Sequence, residues 1–286
     1  MHSSAHTKFE RRVLDPLCGL FVAPWLSSKY PCAVYNFDCG RLHVATPSSN
    51  SLEFLDPRVL VTLNFVHCDA LVMPPIIQNF SSLVGINLNH VELVVWPKSA
   101  ALLPDKNPRI VFVCFVHVNL TAIPDGLLGP LPPLLQDIEF SHTNLSRLPD
   151  WLDQAWPHVQ MLYIEYSKLQ TIPPSLLRMK LFDLSLIGNE LEDVSNLANL
   201  GDRIAFLSLD GNPLKQLPDA LERDFSLLVL SAERTELTVI PDAWLARTQA
   251  VYVDGTPVCG NKDHVTARNE ICSANYERSA GKCMLN

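Results

Sequence analysis

No stretch of this chain is apolar for long enough to cross a membrane as a helix. The longest such run, Leu17 to Leu26, falls far short of the ~20 residues a span needs and is broken by Cys18, Gly19 and Pro24. A secretory leader is missing from Met1 to Arg12, which is polar, carries three basic residues and precedes no small-residue cleavage site. Charge is sparse at 18%, and its positive half is the smaller: 22 Lys and Arg stand against 30 Asp and Glu, a net −8. That balance argues against nucleic acid or an anionic membrane surface as the main partner, since both require a basic face. Catalytic signatures are absent too: no G-x-S-x-G, H-E-x-x-H, P-loop or C-x-x-C occurs, so the chain is read as no enzyme, with no cofactor and no metal.

What is present is a folded body with a period. With 286 residues, 48% of them hydrophobic, the chain can bury a sizeable core. From Leu181 to Pro218 the skeleton L-x-x-L-x-L-x-x-N-x-L-x-x-L occurs twice, with Leu184 and Leu207 at the fourth position, Leu186 and Leu209 at the sixth, and Asn189 and Asn212 at the ninth. The alternation of Leu184 and Leu186 with Ser185 describes a short strand with one apolar face, which a single unit cannot bury but a stack of units can. The Asn residues are placed to satisfy backbone groups that the turn leaves unpaired.

The fourth position can be followed outward as Phe37, Leu63, Ile86, Val113, Ile138, Leu162, Leu184, Leu207, Leu230 and Val251, in steps of 21–27 residues. The ninth position is polar only from Thr143 onward, so the N-terminal half is expected to be less regular. Pro74, Pro97, Pro124, Pro149, Pro173, Pro218 and Pro241 follow the fourteenth position, where a fixed φ turns the chain onto the convex side. The turn after Val194 has Ser195 instead, leaving room for a longer helical segment through Leu197 and Leu200.

This skeleton identifies the chain as a member of the leucine-rich repeat proteins. The resemblance implies an α/β fold, a right-handed solenoid of about ten turns with a parallel concave sheet and disulfide-type end caps. The expected division is a cap or leader over 1–33, the repeat array over 34–258 and a C-terminal cap and tail over 259–286. Cys32 and Cys39 around A-V-Y-N-F-D resemble the N-terminal cap of extracellular repeats, especially the plant kind, and Cys259-Gly260 followed by Cys272 resembles their C-terminal closure. Those resemblances imply the disulfides Cys32–Cys39 and Cys259–Cys272, with Cys68 and Cys114 reduced; Cys18 and Cys283 remain competing partners within their own ends. They are not expected to pair with each other, because ten strands at roughly 4.8 Å separate the caps by about 45 Å. The leader P-L-C-G-L-F-V-A-P-W-L and the P-D-W-L and P-D-G-L-L turns also look like a group of oomycete leucine-rich repeat proteins, in which an ectodomain follows several membrane-spanning helices. On that resemblance the chain is a fragment or shortened relative, membrane-attached in a longer parent.

In a solenoid of this kind function lies on the outward side of the concave strands. The eighth position there reads His67, His90, His117, His142 and Tyr166, in line along one edge of the sheet. Three readings stand: a surface ladder of flat amphipathic side chains, a binding surface that titrates near pH 6, or a metal site. Stacked identical ligands do not by themselves make a tetrahedral set, so no metal is assigned. Beside the row lie Glu139, Glu165, Asp210, Glu233 and Asp254 with Tyr163, Tyr166 and Tyr252, either a solvated face or one suited to a basic or amphipathic partner.

The expected function is therefore recognition of a protein or glycan on the concave face by a monomeric receptor-like or surface-protein ectodomain, outside the cell or at its surface. Asn79, Asn119 and Asn144 lie in N-x-[ST] sequons and are candidate glycosylation sites in that setting. The competing classes are a cytoplasmic scaffold of the Ras-associated repeat type and a secreted inhibitor of a hydrolase.

Overall fold

A computed structural model describes residues 15–22, 24, 27–260 and 272. Its strands are β1 (Cys18–Phe21), β2 (Cys32–Asp38), β3 (Thr62–Val66), β4 (Leu71–Val72), β5 (Gly85–Val95), β6 (Phe112–Asn119), β7 (Asp137–Ser141), β8 (Met161–Glu165), β9 (Asp183–Ser185), β10 (Phe206–Ser208), β11 (Leu227–Ser231) and β12 (Thr248–Tyr252). Leaving β1 and β4 aside, these strands lie side by side in chain order and pair in parallel. Each step between neighbours returns over the convex side through Pro-led segments or short helices of three to five residues, such as Pro75–Asn79 and Pro174–Arg178. The result is an α/β leucine-rich-repeat solenoid with disulfide-closed ends.

The register follows from the apolar positions. Leu63, Ile86, Val113, Ile138, Leu162, Leu184, Leu207 and Leu230 sit opposite one another along the sheet and are completely buried. The ladder residues close the turns. Asn212 donates from Nδ2 to the carbonyls of Leu186 and Leu209 at 2.9 and 2.8 Å, and its Oδ1 accepts from Leu191 N–H at 3.1 Å. Asn189 does the same one turn earlier. Where Thr replaces Asn the bonding shrinks: Thr235 Oγ1 donates to Ala232 O alone.

Four expectations fail. In the first turn Tyr35, not Phe37, stands opposite Leu63, so the frame there is displaced by two residues. A four-residue helix, Cys39–Leu42, lies between that strand and the left-handed residue His43, so Cys39 belongs to the helix and not to the strand pattern. The segment after Val194 is a five-residue 3-10 helix, no longer than its neighbours, so Ser195 in place of Pro does not extend it.

The N-terminal disulfide expectation is also overturned. Cys32 opens β2 and Cys39 follows its last residue. Seven residues of strand hold them about 23 Å apart at ~3.3 Å per residue, far beyond a disulfide's reach. Cys32 instead bonds Cys18 on the antiparallel β1, with Cα atoms 5.8 Å apart, and Cys39 bonds Cys68 in the second turn at 4.9 Å. Cys114 is disulfide-bonded as well, so neither it nor Cys68 is a reduced thiol. Cys259–Cys272 forms as expected, while Cys283 lies outside the described residues.

Candidate functional site

The eighth position of each turn has a backbone requirement that its side chains alone do not reveal. His67, His90, His117, His142, Tyr166 and Arg234 all have φ between 47° and 55°, and Gly188, Gly211 and Gly255 in the same column have φ between 64° and 71°. There the chain leaves the strand through a left-handed residue whose N–H donates to the seventh-position carbonyl of the next turn. Examples are His67 to Asn89 O, His142 to Glu165 O and Gly211 to Glu233 O. Glycine carries no penalty in this conformation, and His belongs with Asn and Asp among the side chains that tolerate it best. His43 in the first turn shares the conformation, with φ 52°.

This geometry aims the side chains along one edge of the concave sheet, where they touch. Ring centroids are 5.7 Å apart for His67–His90, 4.6 Å for His90–His117, 4.5 Å for His117–His142 and 4.6 Å for His142–Tyr166. All five rings are exposed, forming a continuous aromatic ridge. Its fixed partners are modest. His67 Nδ1 lies 3.5 Å from Asp38 Oδ1, His90 Nδ1 pairs with Asn89 Oδ1, and His142 Nδ1 pairs with Ser141 Oγ at 2.9 Å. His90 and His117 are held below the ordinary imidazole range, first because crowding strips water from the charged form and second because neighbouring imidazoles repel it. Among the described residues no cluster of three or more His, Cys, Asp and Glu is placed to hold a metal ion.

The carboxylates of the concavity serve partly as structure. Asp210 Oδ1 accepts from Ser231 Oγ at 2.6 Å and from Glu233 N–H at 2.7 Å, which knits one turn to the next. Glu165 accepts from Ser185 Oγ, the Tyr163 hydroxyl donates to Asp183 at 2.9 Å, and Arg234 lies 3.3 Å from Glu233. Glu139, Asp210 and Glu233 are buried, Glu165 and Tyr252 are half-buried, and Asp254 is exposed. Of the sequon asparagines, Asn79 and Asn119 are exposed and Asn144 is half-buried, its Nδ2 donating to Asn119 Oδ1 at 2.8 Å.

A second row escapes the sequence-level search. Asn64 donates from Nδ2 to Asn36 Oδ1 at 2.6 Å, and Asn87 does the same to Asn64 Oδ1 at 2.7 Å. These asparagines occupy the fifth position of three successive turns, side by side across β2, β3 and β5. The signal was present at Asn64 and Asn87, but the displaced first-turn frame hid Asn36.

No family model matches this chain, and no curated protein matches it. Solved structures do. The Toll chain of the Drosophila Toll–Spatzle complex superposes with a TM-score of 0.57 at 19% identity, over 69% of this chain and 27% of that one. The leucine-rich repeat domain of the type III effector XopL gives 0.55 at 18% identity, over 75% and 74%. TLR13 in complex with the RNA ssRNA13 gives 0.52 at 17% identity, over 71% and 32%. The chain thus spans roughly the size of the XopL repeat domain but only about a third or less of Toll and TLR13. At these identities the likeness is one of fold.

Proposed function

We propose that this leucine-rich-repeat chain is a non-catalytic recognition module, the ectodomain of a receptor-like or surface protein, binding a protein or glycan ligand on its concave face. One observation carries the reading: five exposed rings, His67 through Tyr166, run in unbroken contact along the edge of the sheet. The fold asks only for a left-handed residue at that column and takes glycine there three times in the C-terminal half. A contiguous exposed aromatic strip that the fold does not need is the kind of surface that marks a binding site. The likeness to Toll and TLR13, each solved with a ligand, supports the same reading. Carboxylates beside the strip favour a protein or glycan over a polyanion such as RNA.

Disulfides at both ends support an oxidising setting outside the cytosol, where the exposed sequons Asn79 and Asn119 would be glycosylated. An intracellular scaffold has no use for those bonds.

The test is a peptide and glycan array probed with the full chain, with a His117→Gly/Tyr166→Gly variant that keeps the backbone requirement, and with a Leu134→Ser variant away from the ridge. Loss of binding in the ridge variant alone supports the proposal. Equal binding by all three, or loss only with Leu134→Ser, contradicts it.

A further inference from the structure

The flank where the chain enters each strand, opposite the histidine ridge, carries a different surface. His158, Lys180 and Arg203 each stand four residues before the buried fourth position of their turn, at Leu162, Leu184 and Leu207. All three are exposed, and the turns on either side place Leu134 and Ser226 in the same column. The basic run therefore covers three successive turns, about 4.8 Å apart at the sheet. Among the described residues none of the three forms an ion pair. In a chain with 30 Asp and Glu against 22 Lys and Arg, three adjoining turns of unpaired basic side chains are not what composition alone would supply. Of the carboxylates close by in the chain, Asp202 is exposed and forms no ion pair with Arg203, and Asp183 accepts from the Tyr163 hydroxyl.

These side chains line a recess of about 590 Å³ together with Gln136, Gln160 and Phe182, and no carboxylate lines it. That volume falls within the ~300–1,000 Å³ of ordinary ligand sites. Gln136, Gln160 and Phe182 lie side by side because the backbone extends the sheet ladder there: Gln160 N–H donates to Gln136 O at 2.9 Å and Phe182 N–H to Gln160 O at 2.7 Å. The same position holds Val61, Val84 and Val111 in earlier turns and Leu228 in a later one, so the two amides are confined to the recess. Phe182 rests its ring on Phe206, with centroids 5.5 Å apart, and stays 47% exposed.

We infer that this flank binds an acidic polysaccharide, a chain of sugars bearing sulfate or carboxylate groups, laid across the three turns. Lys180 and Arg203 carry like charges on adjacent turns, and an anion between them relieves their repulsion. His158 adds a ring N–H donor. The remaining groups choose among anions. A glutamine amide both donates and accepts, as a sugar hydroxyl does, whereas a bare carboxylate or sulfate would use only its donors. The exposed Phe182 face is electron-rich and suits the weakly positive C–H face of a sugar ring. An acidic peptide would engage the cations and leave the amides and the ring idle. The site lies off the concave face, so it does not rest on the reading given for the ridge.

The experiment is an NMR titration of the full chain with sulfated maltohexaose, neutral maltohexaose, hexaglutamate and inorganic sulfate. The expected result is tightest binding of the sulfated oligosaccharide, with shifts at His158, Lys180, Phe182 and Arg203. Lys180→Gln/Arg203→Gln should weaken it about tenfold or more, as loss of charge-assisted hydrogen bonds implies. Lys168→Gln/Lys215→Gln removes the same charge from exposed positions beyond the strand ends and should leave affinity unchanged. Phe182→Ser should weaken the sulfated oligosaccharide but not hexaglutamate. Equal binding of hexaglutamate, of inorganic sulfate or of the neutral sugar, equal losses in the two lysine-containing double variants, or no binding overturns the inference. The His117→Gly/Tyr166→Gly variant should bind the sulfated probe as the unaltered chain does, which keeps this outcome separate from that of the ridge.

Discussion

The Tyr166 ring lies over Gly188 so closely that a Cβ on the glycine would stand 2.5 Å from the ring's Cδ1. The aromatic ridge therefore ends on bare backbone, and Gly188 is held by two constraints at once: this ring and a φ of 65°. Gly211, one turn on, has φ 64° but meets nothing nearer than 3.7 Å. Gly211→Ala should thus cost only the backbone penalty, about 1–2 kcal/mol. Gly188→Ala should cost more, and Tyr166→Gly should relieve the excess in the double variant. Urea unfolding midpoints measure all four proteins; equal losses for the two alanines would show that the ring makes no demand on Gly188.

Acid should weaken the fold through the middle of the ridge. The folded pKa of His90 and of His117 lies below the unfolded value of ~6.5, so near pH 6 the unfolded chain binds more protons than the folded one. This part of the stability is present above about pH 6.5 and is lost progressively as pH falls from there through the lower folded pKa values. Asp38, facing His67 at 3.5 Å, opposes the effect at one end; Asn89, Ser141 and Tyr166 add no opposing charge at neutral pH along the rest. His90→Asn/His117→Asn keeps a residue that tolerates positive φ and removes the titrating groups. The difference in unfolding free energy between pH 7.5 and pH 5.5 should be smaller in that variant than in the unaltered chain. An unchanged difference, with unshifted imidazole titration curves, would contradict the account.

The ladder residues should differ in weight according to how many backbone groups each satisfies. Asn212→Ala strands the Leu209 carbonyl and the Leu191 N–H in the core and leaves Leu186 O to Asn189 Nδ2 alone, and a loss of at least about 2 kcal/mol is expected. Thr235→Ala removes one bond, to Ala232 O, and should cost about 1 kcal/mol. Thermal melts of the two variants decide it, and equal shifts would mean that the Asn ladder does not hold the turns as described.

The fold was legible because buried positions repeat at a spacing that leaves one solution: Leu184, Leu207 and their counterparts lie where the period puts them. The histidine row was legible as a row, but not its cause. A left-handed φ shared by His117, Tyr166, Arg234 and Gly211 cannot be read from side chains so unlike one another. The first turn misled for a different reason. A four-residue helix, Cys39–Leu42, follows the strand there, and counting Cys39 into the strand put Phe37 where Tyr35 belongs and hid Asn36. Disulfide pairing depends on which strands lie side by side, and that information arrives only with the sheet.

The most direct test of an oxidised recognition module working outside the cytosol is disulfide mapping of the chain isolated without reductant and alkylated in its native state. The account predicts linked peptides for Cys18–Cys32, Cys39–Cys68 and Cys259–Cys272, and no alkylation of Cys68 or Cys114. A Cys32–Cys39 link, or alkylated thiols at these positions, would contradict it.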